Sequence, residues 1–280
     1  MGFDRQEREK DLMATSKGND DRFIDIVEIH RSRMTLAILG ETPFISHRMA
    51  GPDKLALLQP PQKKTVAEKA MHMKHDMTRE FQESYYRLPP GGETLIGHKA
   101  VAFKRGIAAT AIDMPGASKA QIGRLCRVEG ELIPIYGIPQ LFTTEVRNSD
   151  MNHTPDLRTR AIMPRWACWV TVSFIQPQLN EDALAKLIGA MGELNGYGDW
   201  RQQKGSGSYG AFKVVQPDDE TFLEIVRHGG REAQERAVAD PACYDEETQE
   251  MYSWWLVEVG RRELRSPRQN GEVKELVGVS

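Results

Sequence analysis

An α+β fold is what this sequence predicts, and three stretches carry the expectation. Between Phe23 and Leu39 apolar side chains recur at Ile24, Ile26, Met34, Leu36 and Ile38, the alternation of a half-buried strand. "WACWVTVSF", Trp166 to Phe174, is rich in the β-branched and aromatic residues that strands favour. Soon after it, Asn180 stands where a helix N-cap is expected, and Leu184, Leu187, Ile188 and Met191 then share one helical face. The chain has 280 residues, enough for one large domain or two modest ones, and 40% of them are hydrophobic, enough for a sizeable core.

The remaining elements follow in order. "GETPF" ends the first strand at Gly40 and Pro43, and "GPDKLALLQPPQKK" (51–64) is a Pro-rich, basic connector. "TVAE", Thr65 to Glu68, reads as a capping box that opens a helix with Ala70, Met73, Met77 and Phe81 on one face, ending before "LPPGG". A second helix is expected over His98–Ile112, and strands around Leu125–Tyr136 and Leu141–Val146. "NSDMNHTPD" is a polar loop. A glycine-rich stretch, "GYGDWRQQKGSGSYGAFKV", runs from Gly196 into a strand over Ala211–Val215. Residues 218–263 hold thirteen acidic and five basic side chains, with two helical stretches expected and "YSWWLVEV" as their apolar anchor.

Composition narrows the class. The formal net charge is −3, so global charge does not announce a nucleic-acid protein, and the distribution of charge must decide. The three cysteines, Cys126, Cys168 and Cys243, are far apart and form no CxxC pair, which points to a reducing compartment and away from a structural zinc site. No apolar run reaches the roughly 18 residues of a membrane helix. The N-terminus, "MGFDRQEREKDLMATSKGNDD", lacks the apolar stretch of a signal peptide. The expectation is a cytoplasmic protein with no membrane partner. Residues 1–21 bury too little apolar surface to order themselves, and the last residues, 266–280, are expected to be disordered too.

Positive charge gathers ahead of the acidic region. Lys99, Lys104, Arg105, Lys119, Arg124 and Arg127 stand against Asp113 alone before Glu129. Arg147, Arg158, Arg160 and Arg165 form a second group, and the glycine loop adds Arg201 and Lys204. Several cations on one surface are what phosphate binding requires, because affinity comes from counterion release. The loop is neither a Walker loop, for want of GKS or GKT, nor GxGxxG between strand and helix, so dinucleotides and nucleoside triphosphates are not expected on it. Its glycines permit positive φ and close backbone approach, and consecutive amides there can form an anion nest. Trp200, Tyr209 and Phe212 offer stacking faces to single-stranded bases.

The order of these features resembles the RAMP superfamily, in particular the backbone subunits of CRISPR effector complexes. "LAILGETPFISH" is similar to that family's first strand and the loop that turns from it towards RNA. "IGHKAVAFKRGIAATA" resembles its helix start, with Phe103-Lys104-Arg105 at the hydrophobic–Lys–Gly/Arg step. The glycine stretch is similar to its late glycine-rich loop, ending here in Ser208-Tyr209-Gly210. "VRNSDMNHTPDLRTRAIMPRW" sits where the family carries a protruding hairpin, the thumb. The likeness spans residues 34–215. It implies a ferredoxin-like, RNA-recognition-motif-like core over 22–217, with a helical insertion at 51–90 and a thumb at 145–165, followed by an acidic helical extension at 218–265.

The resemblance further implies a protein that binds single-stranded RNA, a guide RNA, and assembles along it with itself and other effector subunits into a filament or helical arc. Charge and resemblance together assign nucleic-acid contacts to His47, Arg48, His98, Lys99, Lys104, Arg105, Arg147, Arg158, Arg160, Arg165, Trp200, Arg201, Lys204, Gly205, Ser206, Gly207 and Tyr209. The acidic segment is expected to contact a neighbouring subunit or to shield the basic groove, with a solvated helical appendage as the alternative. Two other readings stay open: a viral single-stranded DNA-binding or annealing protein of recombination, and a metal-dependent nuclease. His72 and His75 stand one turn apart in "MHMKHD", a spacing able to hold a metal, but the sequence offers no third ligand. The family's RNA-cleaving members use an aspartate near the first helix, and none stands in "GETPFISHRM", Asp53 being the nearest. No catalytic residue, metal or cofactor is therefore assigned, and a binding role is expected over an enzymatic one.

Overall fold

The computed structural model describes residues 27–49, 58, 73–147, 154–204 and 207–265. The capping box at Thr65–Glu68, both tails, His72, Gly205, Ser206 and the tip of the thumb lie outside them. The architecture is α+β with antiparallel sheets, as the sequence predicts. Among the described residues no helix is long and apolar enough to cross a membrane.

The central sheet has four strands in the order β10-β1-β9-β5: β1 is His30–Gly40, β5 Cys126–Val128, β9 Ala167–Gln176 and β10 Phe212–Val215. Every neighbouring pair is antiparallel, with Leu36 opposite Val170 and Val128 opposite Val172. Because side chains alternate across a strand, Leu36, Ile38, Val170, Val172 and Phe174 all face one side. That side is covered by helix α2 (Ala100–Thr110) and helix α4 (Glu181–Leu194). Asn180 caps α4 through its side-chain oxygen, and Leu184, Leu187, Ile188 and Met191 are buried, as expected. A short helix α3 (Lys119–Leu125) joins α2 to β5.

Two small sheets flank the central one. β2 (Phe44–Ile45), β8 (Pro155–Met163) and β7 (Gln140–Arg147) form one, in the order β2-β8-β7. β3 (Tyr86–Arg87), β4 (Ile96–Lys99) and β6 (Leu132–Pro134) form the other, in the order β3-β4-β6. The β7–β8 hairpin overlaps the segment 145–165 and starts ahead of it, pairing from Gln140–Ile162 to Arg147–Pro155. Its inner half, Leu141–Thr143 and Thr159–Met163, is buried, and only the outer half meets solvent. Helix α1 (Met77–Glu83) packs against it, capped by Asp76, with Met77 and Phe81 buried. Met73, expected on the same helix, precedes that cap and is not helical.

The acidic region is built into the fold. It forms three helices where the sequence reading expects two: α5 (Glu220–His228), α6 (Arg231–Ala239) and α7 (Glu246–Arg265). Gly229-Gly230 breaks the first from the second, and Asp240-Pro241 ends the second, since the residue before proline is driven out of helical geometry. α5 covers part of the second face of the central sheet, where Phe222 meets Trp169 edge to face at 4.7 Å. Gln234 of α6, fully buried, accepts from the amides of Leu95 and Ile96 and donates to the carbonyls of Ile135, Gly137 and Gly229. From α7, Trp255 donates to the His75 carbonyl and Tyr252 bonds Thr78, both ahead of or within α1. Of the anchor "YSWWLVEV", Trp255 is buried while Trp254 and Val257 stand in solvent.

Candidate nucleic-acid interface

The described parts of the glycine-rich loop, 196–204 and 207–210, lie close against each other. Gly196, Gly198 and Gly210 have positive φ. At Gly210 a Cβ would come within 1.8 Å of the Tyr197 carbonyl oxygen, and at Gly207 within 1.6 Å of that of Trp200. The loop amides of Gly196, Tyr197, Asp199, Tyr209 and Gly210 already donate to carbonyls of Met191, Gly210, Ile45, Trp200 and Pro43. Those five are therefore not free for phosphate, so the expectation of main-chain amides aimed at a ligand does not hold for them, while Gly205 and Ser206 lie outside the described residues. Glycine is required because two backbone runs lie against each other. The same stretch carries Asp199, Trp200 and Arg201, with Trp200 itself at φ 51°, a region non-glycine residues seldom occupy.

Next to it, joined through Arg160, lies a largely cationic cleft of about 510 Å³ whose lining includes His47, Arg48, Lys74, His75, Glu80, Arg158 and Arg160. Arg160 lies at its floor, 8% exposed, on the inner half of the hairpin. The guanidinium carbon is 5.0 Å from the centre of the Trp200 ring, a cation–π geometry. Asp199 approaches Arg160 Nη1 to 2.9 Å. Yet Nη1 and Nε have no aligned acceptor, so the pair is held by charge more than by hydrogen bonds. Burial disfavours the charged form and draws the Arg160 pKa down, with Asp199 opposing that shift. His47 is held below the ordinary histidine range by partial burial and then by the charge of Arg160. Trp200 and Tyr209 each rest one side on Phe142 in a small apolar cluster with Ile45 and Ile162.

His98 is placed differently from the expectation. The helix begins at Ala100, and His98 belongs to β4, 7% exposed, ringed edge-on by Phe44, Tyr86 and Tyr197. Burial, reinforced by Arg201, lowers its pKa to about 4, and its Nδ1 has no partner. It is a neutral support beneath the loop and does not reach a surface phosphate.

His75 closes the opposite wall. Its Nδ1 lies 2.7 Å from Glu80 and its Nε2 2.9 Å from Asp156, which Lys74 also reaches at 2.5 Å. A neutral imidazole has one N–H, and two carboxylates call for two, so the bond to Glu80 and then that to Asp156 raise the His75 pKa over the penalty of burial. Burial alone would raise Asp156, but its bonds to Lys74 and His75 bring it down to about 2. Among the described residues no group of three or more histidine, cysteine, aspartate or glutamate side chains could hold a metal.

The other assigned residues scatter. Arg165 is engaged by Glu224 of α5 in a two-pronged pair at 3.2 and 2.7 Å. Arg147 ends β7 in solvent, Arg105 is exposed on α2, and Lys99 lies over the Tyr86 ring at 5.1 Å. Lys104 lines a separate cleft with Arg31, Arg124 and Arg127. Arg201 donates to the Gly198 carbonyl and to Gln203, and Lys204 ends a short 3₁₀ turn. Sequence reading passed over Asp199 and Lys74, which only tertiary pairing brings to this cleft, and no local pattern marks either. No protein-family model matches the chain, and none of the curated proteins matches it.

Proposed function

We propose that the protein binds single-stranded nucleic acid along the cleft lined by His47, Arg48, Arg158 and Arg160 and onto the neighbouring Trp200 and Arg201 of the glycine loop. The observation that carries this is Arg160: a nearly buried guanidinium at the floor of a cationic cleft, stacked on Trp200, with two nitrogens lacking an aligned acceptor. A buried charged donor left in that state costs free energy unless a ligand completes it. A phosphate oxygen supplies the charge and the lone pairs, and the solvent-facing part of Trp200 offers a base a stacking surface.

The topology supports a ferredoxin-like core. The chain runs β1–α2–β5–β9–α4–β10, and the sheet order β10-β1-β9-β5 is that of two interleaved βαβ halves. The β7–β8 hairpin interrupts it between β5 and β9, the place of a thumb. In this reading the protein is a RAMP-like backbone subunit that assembles along RNA in a CRISPR-like ribonucleoprotein. Head-to-tail contacts of that kind are heterologous and generate filaments or arcs.

Fluorescence anisotropy with single-stranded RNA and DNA of equal sequence, repeated over a range of salt, tests the binding claim, and light scattering on strands of increasing length tests assembly. Binding with a negative slope of log K against log[salt], and particle mass that follows strand length, are expected. Salt-independent or absent binding to both strands would overturn the reading. A preference for DNA would move it to the annealing class.

A further inference from the structure

The second cationic cleft has a chemistry of its own. Arg31 of β1, Lys104 of α2, Arg124 of α3 and Arg127 of β5 converge on a cleft of about 360 Å³. The rest of its lining is Ala100, Val101, Cys126, Val128 and Gly130, so it contains no carboxylate. The strand register brings two of the arginines together. Arg127 lies opposite Ser173 across the β5–β9 ladder, and Arg31 reaches the same serine, its Nη1 donating to Ser173 Oγ at 3.3 Å. Lys104 comes from the second turn of α2, and Arg124 from the last turn of α3. The nearest acid in sequence, Glu129, is taken by Arg33 at 2.8 Å.

None of the four cations has a carboxylate partner among the described residues. Elsewhere several arginines are paired: Arg158 with Asp156, Arg165 with Glu224, and Arg261 and Arg262 with Glu258. Four like charges drawn together from four elements repel one another, and no carboxylate among the described residues pairs with them to offset the repulsion. A phosphodiester strand brings one charge per nucleotide, spread along its length. A di- or triphosphate concentrates several charges in a compact unit, which matches four cations around one small cleft.

We propose that this cleft is a binding site for a polyphosphate group, a di- or triphosphate carried either by a free nucleotide or by the 5′ end of an RNA strand. The site is distinct from the cleft floored by Arg160 and does not depend on that cleft binding nucleic acid. Arg127 and Arg124 reach the outer phosphate oxygens from solvent, and half-buried Lys104 neutralises the inner ones.

Isothermal titration of the full chain with inorganic tripolyphosphate is the test, run beside the Arg124→Ala/Arg127→Ala and Lys104→Ala variants. Saturable binding is expected, weakened roughly tenfold for each cation removed. Guanosine triphosphate and a 5′-triphosphorylated RNA, each compared with its unphosphorylated form, separate the two sources. Whichever phosphorylated form gains affinity through Arg124 and Arg127 identifies the source. Thermal melting monitors the fold, and relief of repulsion should leave the variants at least as stable as the parent. No saturable tripolyphosphate binding, or an equal loss of 5′-hydroxyl RNA binding in the Arg124→Ala/Arg127→Ala variant, overturns the proposal. Arg160→Ala should leave tripolyphosphate binding unchanged, so failure at one cleft is distinguishable from failure at the other.

Discussion

Arg160 holds its guanidinium carbon 5.0 Å from the centre of the Trp200 ring, joining the inner half of the hairpin to the glycine-rich loop. The two residues are forty positions apart in sequence and meet only because β8 and the loop both lean on the cluster of Ile45, Phe142 and Ile162.

If the pair serves a ligand, binding and stability move in opposite directions when Arg160 is replaced. Arg160→Met removes a buried charge without aligned acceptors and leaves Asp199, which is partly solvated. The melting temperature should hold or rise, as it often does when buried ions give way to apolar side chains. Single-strand affinity should fall by about tenfold or more, and Trp200→Ala should lower it by a similar factor. Arg160→Lys should not restore binding, because an ammonium neither stacks flat nor forks to a phosphate.

Salt dependence separates cations free to meet phosphate from those already engaged. Arg201→Ala should reduce the slope of log K against log[salt] by roughly 0.7 for each lost contact on a single strand. Arg165→Ala should leave it unchanged, since Glu224 already holds that guanidinium. Equal slopes for parent and Arg201→Ala would remove Arg201 from the interface.

His98 sets an acid limit on stability. Its folded pKa, about 4, lies below the ordinary value of 6.5, so its contribution is present above pH 6.5 and is lost as pH falls towards 4. A shift of this size approaches about 3 kcal/mol. Urea denaturation at pH 7.5 and pH 4.5 should show a larger acid loss in the parent than in His98→Phe. His75 works in the other sense: its raised pKa contributes stability below pH 6.5 that disappears as pH rises through the folded value. Its effect is common to parent and His98→Phe, and the comparison cancels it.

Gln234 fastens the acidic helices to the core. Gln234→Ala would leave two amides and three carbonyls without their side-chain partner. A loss of about 3 kcal/mol or more is expected, because each buried polar group left unmade costs roughly 1–3 kcal/mol. Guanidinium titration reads it directly. Loss below about 1 kcal/mol would mean that water replaces the amide.

Gly210→Ala should disable the loop while most of the protein stays folded. A methyl there meets the Tyr197 carbonyl at 1.8 Å in a backbone region that alanine avoids. Nucleic-acid affinity and Trp200 fluorescence should change together.

Local pattern was enough for most of the elements. The strand alternation through Leu36 and Ile38, the run Trp166–Phe174 and the Asn180 cap were legible because each depends on neighbours in sequence and on periods of two or 3.6. The clusters of positive charge were legible too, but their destinations were not. Charge in a sequence carries no direction, and pairing across the fold sorted the arginines: Arg165 to Glu224, Arg160 to Trp200 and Asp199, Arg127 and Lys104 to a second cleft. The glycines announced a loop, yet whether its amides faced a ligand or another stretch of backbone depended on Pro43 and Ile45, contacts at long range in sequence. His98 looked like a helix-end cation and became a neutral core residue because β4 extends to Lys99 and three aromatic rings close around it. Sequence by itself determined most of the strands and helices and where charge is dense. Only the tertiary structure decided which charges are neutralised, which are buried and which remain for a ligand, because solvation and pairing depend on neighbours brought from elsewhere in the chain.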